Sequence, residues 1–360
     1  MRSADTTVVE LYGVICLSAA MAEAQWLNHP TAGVPRHADG AVDLQAPAPR
    51  TADGHPDFSG IWGWQPGRYV GSIAIDLKPQ EIKPEATALA RARVETLGRD
   101  DPAQFECLPQ GPRQNLYAPI PFKIVQTPTL LVILSEDLSY RQIFLDGRPL
   151  PRDPDPSFMG YSTGHWEGDT LVVETSGFKD RTWLDFAGTP HSESLKITER
   201  IRRRTFGHLE IEETIDDPEV FTRPFTVMLG ARYAPDTEPL EFVCAENERS
   251  RQHFVGTVSE MMKEKLSQAV TVSPEILAGY VGDYEFRYPE SPSTPHVLPI
   301  RLVDGSLRLG EAPLIPLSET RFGSPFGDFE VKFDEHGRVT HLLVTIVEGE
   351  LKVVRLPDAK

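Results

Sequence analysis

Basic residues are in short supply. The chain of 360 residues carries 36 Lys and Arg against 53 Asp and Glu, a formal net charge of −17. Nucleic acid and anionic membrane surfaces attract basic proteins, so neither is an expected partner. The one basic cluster, Arg200 to Arg204, alternates with Glu199 and faces Glu210 to Glu213 on the next expected strand. Cross-strand ion pairs are its expected role. Cysteine is scarce, with 3 in all, and no Cys-x-x-Cys pair suggests a metal or redox site. Apolar runs are short. None approaches the ~20 residues of a membrane helix, so no integral membrane segment is expected in the mature chain. Gly-x-Gly-x-x-Gly and phosphate-loop patterns are missing, and no nucleotide or other cofactor is expected. His-x-His and His-Glu-x-x-His spacings are missing too. His165, Asp185 and His191 are ligand types without ligand spacing, so no metal is expected.

Proline and glycine, by contrast, are plentiful, at 32 and 27 residues. That is too many for a helical protein and fits short strands joined by turns. Apolar residues make up 40% and charged residues 25%, a globular profile, and the length suits two domains. Residues 1–24 read as a signal peptide. Tyr12 to Met21 is apolar, and Ala20-Met21-Ala22 and Ala22-Glu23-Ala24 are small-x-small cleavage patterns. The expected location is therefore periplasmic or secreted. Cleavage would remove Cys16 and leave Cys107 and Cys244. One disulfide and two buried thiols are both open readings of that pair.

The expected fold class is all-β: an antiparallel barrel or sandwich followed by a smaller lipocalin-like β meander. Residues 25–57 form an extended arm with two turns, at Asp39-Gly40 and Asp53-Gly54. Residues 58–255 form the antiparallel β domain. Its expected helix is Pro84 to Leu97, entered at Pro84 and ended by Gly98. Its strands are expected near 58–64, 124–134, 140–145, 159–175 (a hairpin turning at Gly168-Asp169), 194–205, 208–215, 224–233 and 239–244. Residues 256–272 are a linker helix, and 273–357 form the second β domain, with turns at Asp304-Gly305, His336-Gly337 and Glu348-Gly349.

The loop after the 159–175 hairpin gathers Trp183, Asp185 and His191. Histidine titrates near neutral pH, and a carboxylate can fix its tautomer and raise its basicity. His191 is the expected general base or acid, Asp185 its orienting partner, and Tyr161 a hydrogen-bond donor to a developing oxyanion. Trp183, Trp166, Phe186 and Arg141 are the expected substrate-binding side chains, although Arg141 and Arg113 also suit structural ion pairs. Ser162 and Ser192 lie near the histidine, but neither is expected at an exposed strand-to-helix elbow. The expected function is an exported enzyme acting on a small organic molecule by acid–base chemistry, as a lyase, isomerase or hydrolase. The alternative is a non-catalytic binding protein with an apolar small molecule in the barrel, lined by aromatics such as Trp62, Trp64, Tyr69 and Tyr117.

Two stretches resemble known families. Ile276-Leu277-Ala278-Gly279-Tyr280-Val281-Gly282-Asp283-Tyr284, with Phe333 to Val339, resembles the lipocalin-like C-terminal domain of β-lactamase-like serine peptidases. A Ser-x-x-Lys motif with its companion motifs is absent, so the resemblance implies an accessory domain without the hydrolase. Residues 26–255 resemble a family of exported proteins of soil bacteria, notably acidobacteria. The matching stretches include Pro56-Asp57-Phe58-Ser59-Gly60-Ile61-Trp62, Cys107-Leu108-Pro109, Trp166-Glu167-Gly168-Asp169-Thr170-Leu171 and Pro190-His191-Ser192. That resemblance implies export and the two-part layout, and no particular reaction.

Overall fold

A computed structural model describes residues 30–69, 71–116, 120–246, 256–286, 296–309, 312–325, 327–346 and 349–357. The expected signal peptide, residues 25–29 of the arm, and Tyr117 lie outside the described residues.

The fold is all-β. Among the described residues, nine strands close into a barrel: β1 (Gly60–Gln65), β2 (Pro121–Gln126), β3 (Leu130–Ser135), β4 (Tyr140–Phe144), β5 (Tyr161–Glu167), β6 (Thr170–Ser176), β7 (Lys196–Thr205), β8 (His208–Asp216) and β9 (Phe225–Tyr233). The seam joins β1 to β9, with Trp62 opposite Tyr233. One pairing departs from the antiparallel expectation. β4 and β5 run parallel and meet only at Ile143↔Ser162 and Phe144↔Thr163. Tyr140 to Gln142 therefore bond to β3 but have no ladder partner on the β5 side. The single strand expected at 124–134 is a hairpin, because Pro128 removes a ladder donor in its middle. The strand expected at 239–244 does not form. That segment instead hangs on Glu136, whose side chain accepts from Leu240 N and whose carbonyl accepts from Phe242 N.

Two α-helices among the described residues, rather than the one helix expected, stand between β1 and β2. In α1 (Pro84–Glu95), Pro84 occupies the first turn and Gly98 follows the end at positive φ. The short α2 (Pro102–Phe105) is capped by Asp101, which accepts from Ala103 N. A 3-10 turn, Gly111–Leu116, follows, and all of its residues are buried. Gly111 is required there. Its φ is +64°, and a Cβ would lie 2.6 Å from Thr182 Oγ1.

The arm lies along the barrel. Gly207 N donates to Leu44 O, Phe206 N to Ala46 O, and Thr31 N to Asp236 Oδ1. Arg203 fixes its far end: the guanidinium lies over the rings of Trp62, Phe206 and Tyr233 and donates to the carbonyl of Asp57. The structure joins Cys107 and Cys244 in a disulfide, tying the segment after α2 to the segment after β9.

The second sheet also has nine strands among the described residues: β10 (Gly282–Phe286), β11 (His296–Val303), β12 (Ser306–Leu309), β13 (Ala312–Pro313), β14 (Ile315–Pro316), β15 (Arg321–Ser324), β16 (Gly327–Phe333), β17 (Val339–Ile346) and β18 (Gly349–Arg355). It is an up-and-down meander in which β10 also pairs with β18. Tyr284, Phe322, Phe329, Leu342 and Val353 are central to its own apolar core. Between the sheets, α3 (Val258–Ser267) is capped by Thr257, and α4 (Pro274–Gly279) by Ser273. Ser259 N donates to Glu95 of α1, and Lys265 Nζ donates to Asp328 of β16. No helix among the described residues is long and apolar enough to cross a membrane.

Candidate functional site

The alternation of β7 and β8 selects what enters the barrel. Ile197, Glu199, Ile201 and Arg203 are buried on β7, and Leu209, Ile211, Glu213 and Ile215 on β8. Side chains of one parity share a face, so the two glutamates stand in the same rows as the core isoleucines. Their Cα atoms are direct partners across the ladder. Two carboxyl groups are thus placed side by side inside the protein, Glu199 at 2% exposure and Glu213 at 1%. The expectation of cross-strand ion pairs holds only for the outer parity. There Arg202 and Arg204 bind Glu210, and Arg200 binds Glu167.

Two side chains bond to the pair. Arg141 of β4 forms a buried ion pair with Glu199, donating through Nη1 at 3.1 Å and through Nη2. The same guanidinium donates from Nε to Ser162 Oγ at 3.1 Å and from Nη2 to Thr175 Oγ1 at 2.8 Å. Asn115 comes from the buried 3-10 turn. Its Nδ2 donates to Glu199 Oε1 at 3.0 Å and also to Glu213 Oε2. That turn is itself anchored by the neighbouring Arg113, which donates to both oxygens of buried Asp101 and lies over the ring of Phe186.

The two carboxyls are pushed in opposite directions. Burial raises the pKa of Glu199, but the charge and hydrogen bonds of Arg141, with the bond from Asn115, outweigh it and hold the group below its ordinary value. Burial and then the negative charge of Glu199 push Glu213 up to about 8. At neutral pH the first is a carboxylate and the second a carboxylic acid. Divergence of this kind is what acid–base chemistry requires of two carboxyl groups.

The pair borders a small cavity of about 20 Å³, also lined by Gln114, Asn115, Arg141 and Met159. On the other side of Arg141 and Met159 lies a groove of about 370 Å³. It occupies the side of β4 left without a β5 partner, and its walls include Leu138, Tyr140, Phe144 and Phe158.

The expected His191–Asp185 dyad is not assembled. Asp185 is completely buried and accepts from Ser72 Oγ, Ile73 N, Thr189 N and Thr189 Oγ1. Those bonds fold the loop on itself and pin it to residues 72–73, and His191 is not among the partners of Asp185. Burial raises its pKa. His191 has Thr182 Oγ1 at 3.0 Å from Nε2 and the carbonyl of Ser192 at 3.2 Å from Nδ1. Burial lowers its pKa, and a neutral ring donating from Nδ1 and accepting at Nε2 satisfies both contacts. Tyr161 does not face a buried oxyanion site. Its hydroxyl accepts from Arg148 at 3.1 Å, and its ring stacks on Phe144 beside the groove. Trp183 is buried under the guanidinium of Arg93, and Trp166 stacks on His55. Of the expected binding residues, only Arg141 reaches the carboxyl pair.

The letters Gly160-Tyr161-Ser162-Thr163-Gly164 spell Gly-x-Ser-x-Gly, yet they lie in and just before β5. Ser162 is fully buried against Arg141 and Thr175, and no elbow exposes its hydroxyl. His165 faces Glu167 at the exposed end of β5 and is paired with neither Asp185 nor His191. No cluster of three or more metal-ligating side chains occurs among the described residues. Comparisons of the chain with family models, curated proteins and solved structures found no match.

Proposed function

We propose that the first barrel is an enzyme acting on a small organic molecule by acid–base chemistry, with Glu213 as proton donor and Glu199 as the ionised partner. The supporting observation is the facing pair itself: two carboxyls at one ladder position, one stabilised as the anion by Arg141 and the other kept protonated. A carboxylic acid with a pKa of about 8 holds its proton at pH 7 and remains acidic enough to give it to a substrate oxygen or carbon. Asn115 bonds to both carboxyls and keeps their separation fixed as charge moves. Arg141 and Met159 line both the groove and the cavity, which makes the groove the approach for substrate. An apolar ligand held inside the barrel is less well supported. The cavity at the carboxyl pair is far smaller than the ~300 Å³ at which ligand pockets begin. The disulfide supports an oxidising compartment, and with it export.

The test has two parts. Carboxyl-selective NMR should find one glutamate titrating near pH 8, absent in Glu213→Gln and shifted downward in Glu199→Gln. A mixture of small metabolites incubated with the protein should show depletion of a member, slowed at least ~100-fold in Glu213→Gln. A Glu213 titration in the ordinary carboxylate range would remove the proposal.

A further inference from the structure

The cavity beside the carboxyl pair holds two unmet hydrogen-bonding atoms. Among the described residues, Gln114 Oε1 and Glu213 Oε1 are buried without a partner, and both side chains line this cavity. A buried polar atom left without a partner carries a desolvation penalty. Gln114 uses its amide nitrogen on Ser135 Oγ, so its free oxygen can only accept. At about 20 Å³ the space fits a single oxygen atom and not a carboxylate or phosphate.

Charge narrows the occupant further. Arg141 is already compensated by Glu199. An incoming anion would meet the Glu199 carboxylate, and an incoming cation would meet the guanidinium, each as an uncompensated buried charge. The outer groove adds apolar walls, with Leu138, Tyr140, Phe144 and Phe158 along it, and Tyr140 is 60% exposed. Met159 borders both spaces, and its flexible thioether can act as a movable partition.

We infer that the substrate is a neutral alcohol or phenol, its ring or apolar body in the groove and its hydroxyl in the cavity between Gln114 Oε1 and Glu213. The inference rests on the acid–base reading of the same site and specifies what that site accepts. The hydroxyl donates to Gln114 Oε1 and accepts from the Glu213 carboxylic acid.

The experiment titrates the purified chain with phenol, cyclohexanol, benzoate and toluene by ligand-observed NMR. Phenol and cyclohexanol are expected to bind roughly tenfold or more tightly than benzoate or toluene. Gln114→Leu should erase that preference and leave toluene unchanged. Tyr140→Ala, a change at an exposed wall residue, should weaken phenol and toluene together. Benzoate binding as tightly as phenol would overturn the inference. So would a phenol preference unaffected by Gln114→Leu, or the failure of all the probes to bind. The two readings fail separately. A Glu213 that titrates normally beside an intact phenol preference removes the acid–base chemistry and spares the ligand class. A Glu213 that titrates near pH 8 beside a benzoate preference does the reverse.

Discussion

At the scale of single residues, Glu213 governs how stability varies with pH. Its carboxyl has an ordinary value of 4.5 and is raised to about 8 in the fold. A raised carboxyl binds its proton longer in the folded state. Its contribution is therefore fully present below pH 4.5 and is lost as pH rises through 8. Relative to Glu213→Gln, the natural chain should lose roughly 5 kcal/mol across that window. Urea unfolding of both proteins at several pH values would measure the difference, and parallel curves would contradict the assignment. The pair was legible in part. Ile197-x-Glu199-x-Ile201 and Ile211-x-Glu213-x-Ile215 put each glutamate in register with core residues, a period-two signal that marks them as inward-facing. Charge alternation with Arg200 to Arg204 pointed instead to surface pairing, and it describes only the outer parity. The dyad expectation failed for a different reason. Proximity in sequence placed Asp185 and His191 on one loop, but backbone amides compete for a buried carboxylate, and here Ile73 and Thr189 took both oxygens.

At the scale of elements, Asp185 is the clamp between the 72–73 segment and the loop that follows β6. Asp185→Ala would leave the amides of Ile73 and Thr189 buried without acceptors, at a cost of about 3 kcal/mol. Hydrogen exchange should show faster exchange at those two amides. Unchanged protection would mean that the clamp is dispensable. Turns and capping residues were the most readable features: Pro84, Ser273 and Gly168-Asp169 lie where helices start and a hairpin turns. The parallel contact of β4 with β5 was not readable, because period-two alternation says which face a residue takes and not which neighbour its strand finds. That contact opens the groove. The part of the wall that makes the candidate site reachable was therefore hidden from the sequence.

At the scale of the whole molecule, the two sheets have separate apolar cores, one within β1–β9 and one within β10–β18. Calorimetry should resolve two transitions. The disulfide spans 137 residues and joins segments associated with the first barrel only. Reduction should lower the first barrel's stability by about 2–5 kcal/mol and leave the second transition in place. A single transition that moves as a whole would show that α3 couples the sheets more tightly than its contacts with Glu95 and Asp328 imply.

The seam between β1 and β9 also sets an order of events during synthesis. Trp62 and Trp64 leave the ribosome early, yet their ladder partners in β9 come far later, and Thr31 waits for Asp236, 205 residues downstream. Contacts of such long separation are slow to form. Until β9 arrives, the first strand presents two tryptophans and an unpaired edge to anything nearby. The nascent chain is therefore exposed to aggregation at this strand for as long as β9 is unmade, and the arm that Arg203 finally secures is made well before the residue that holds it.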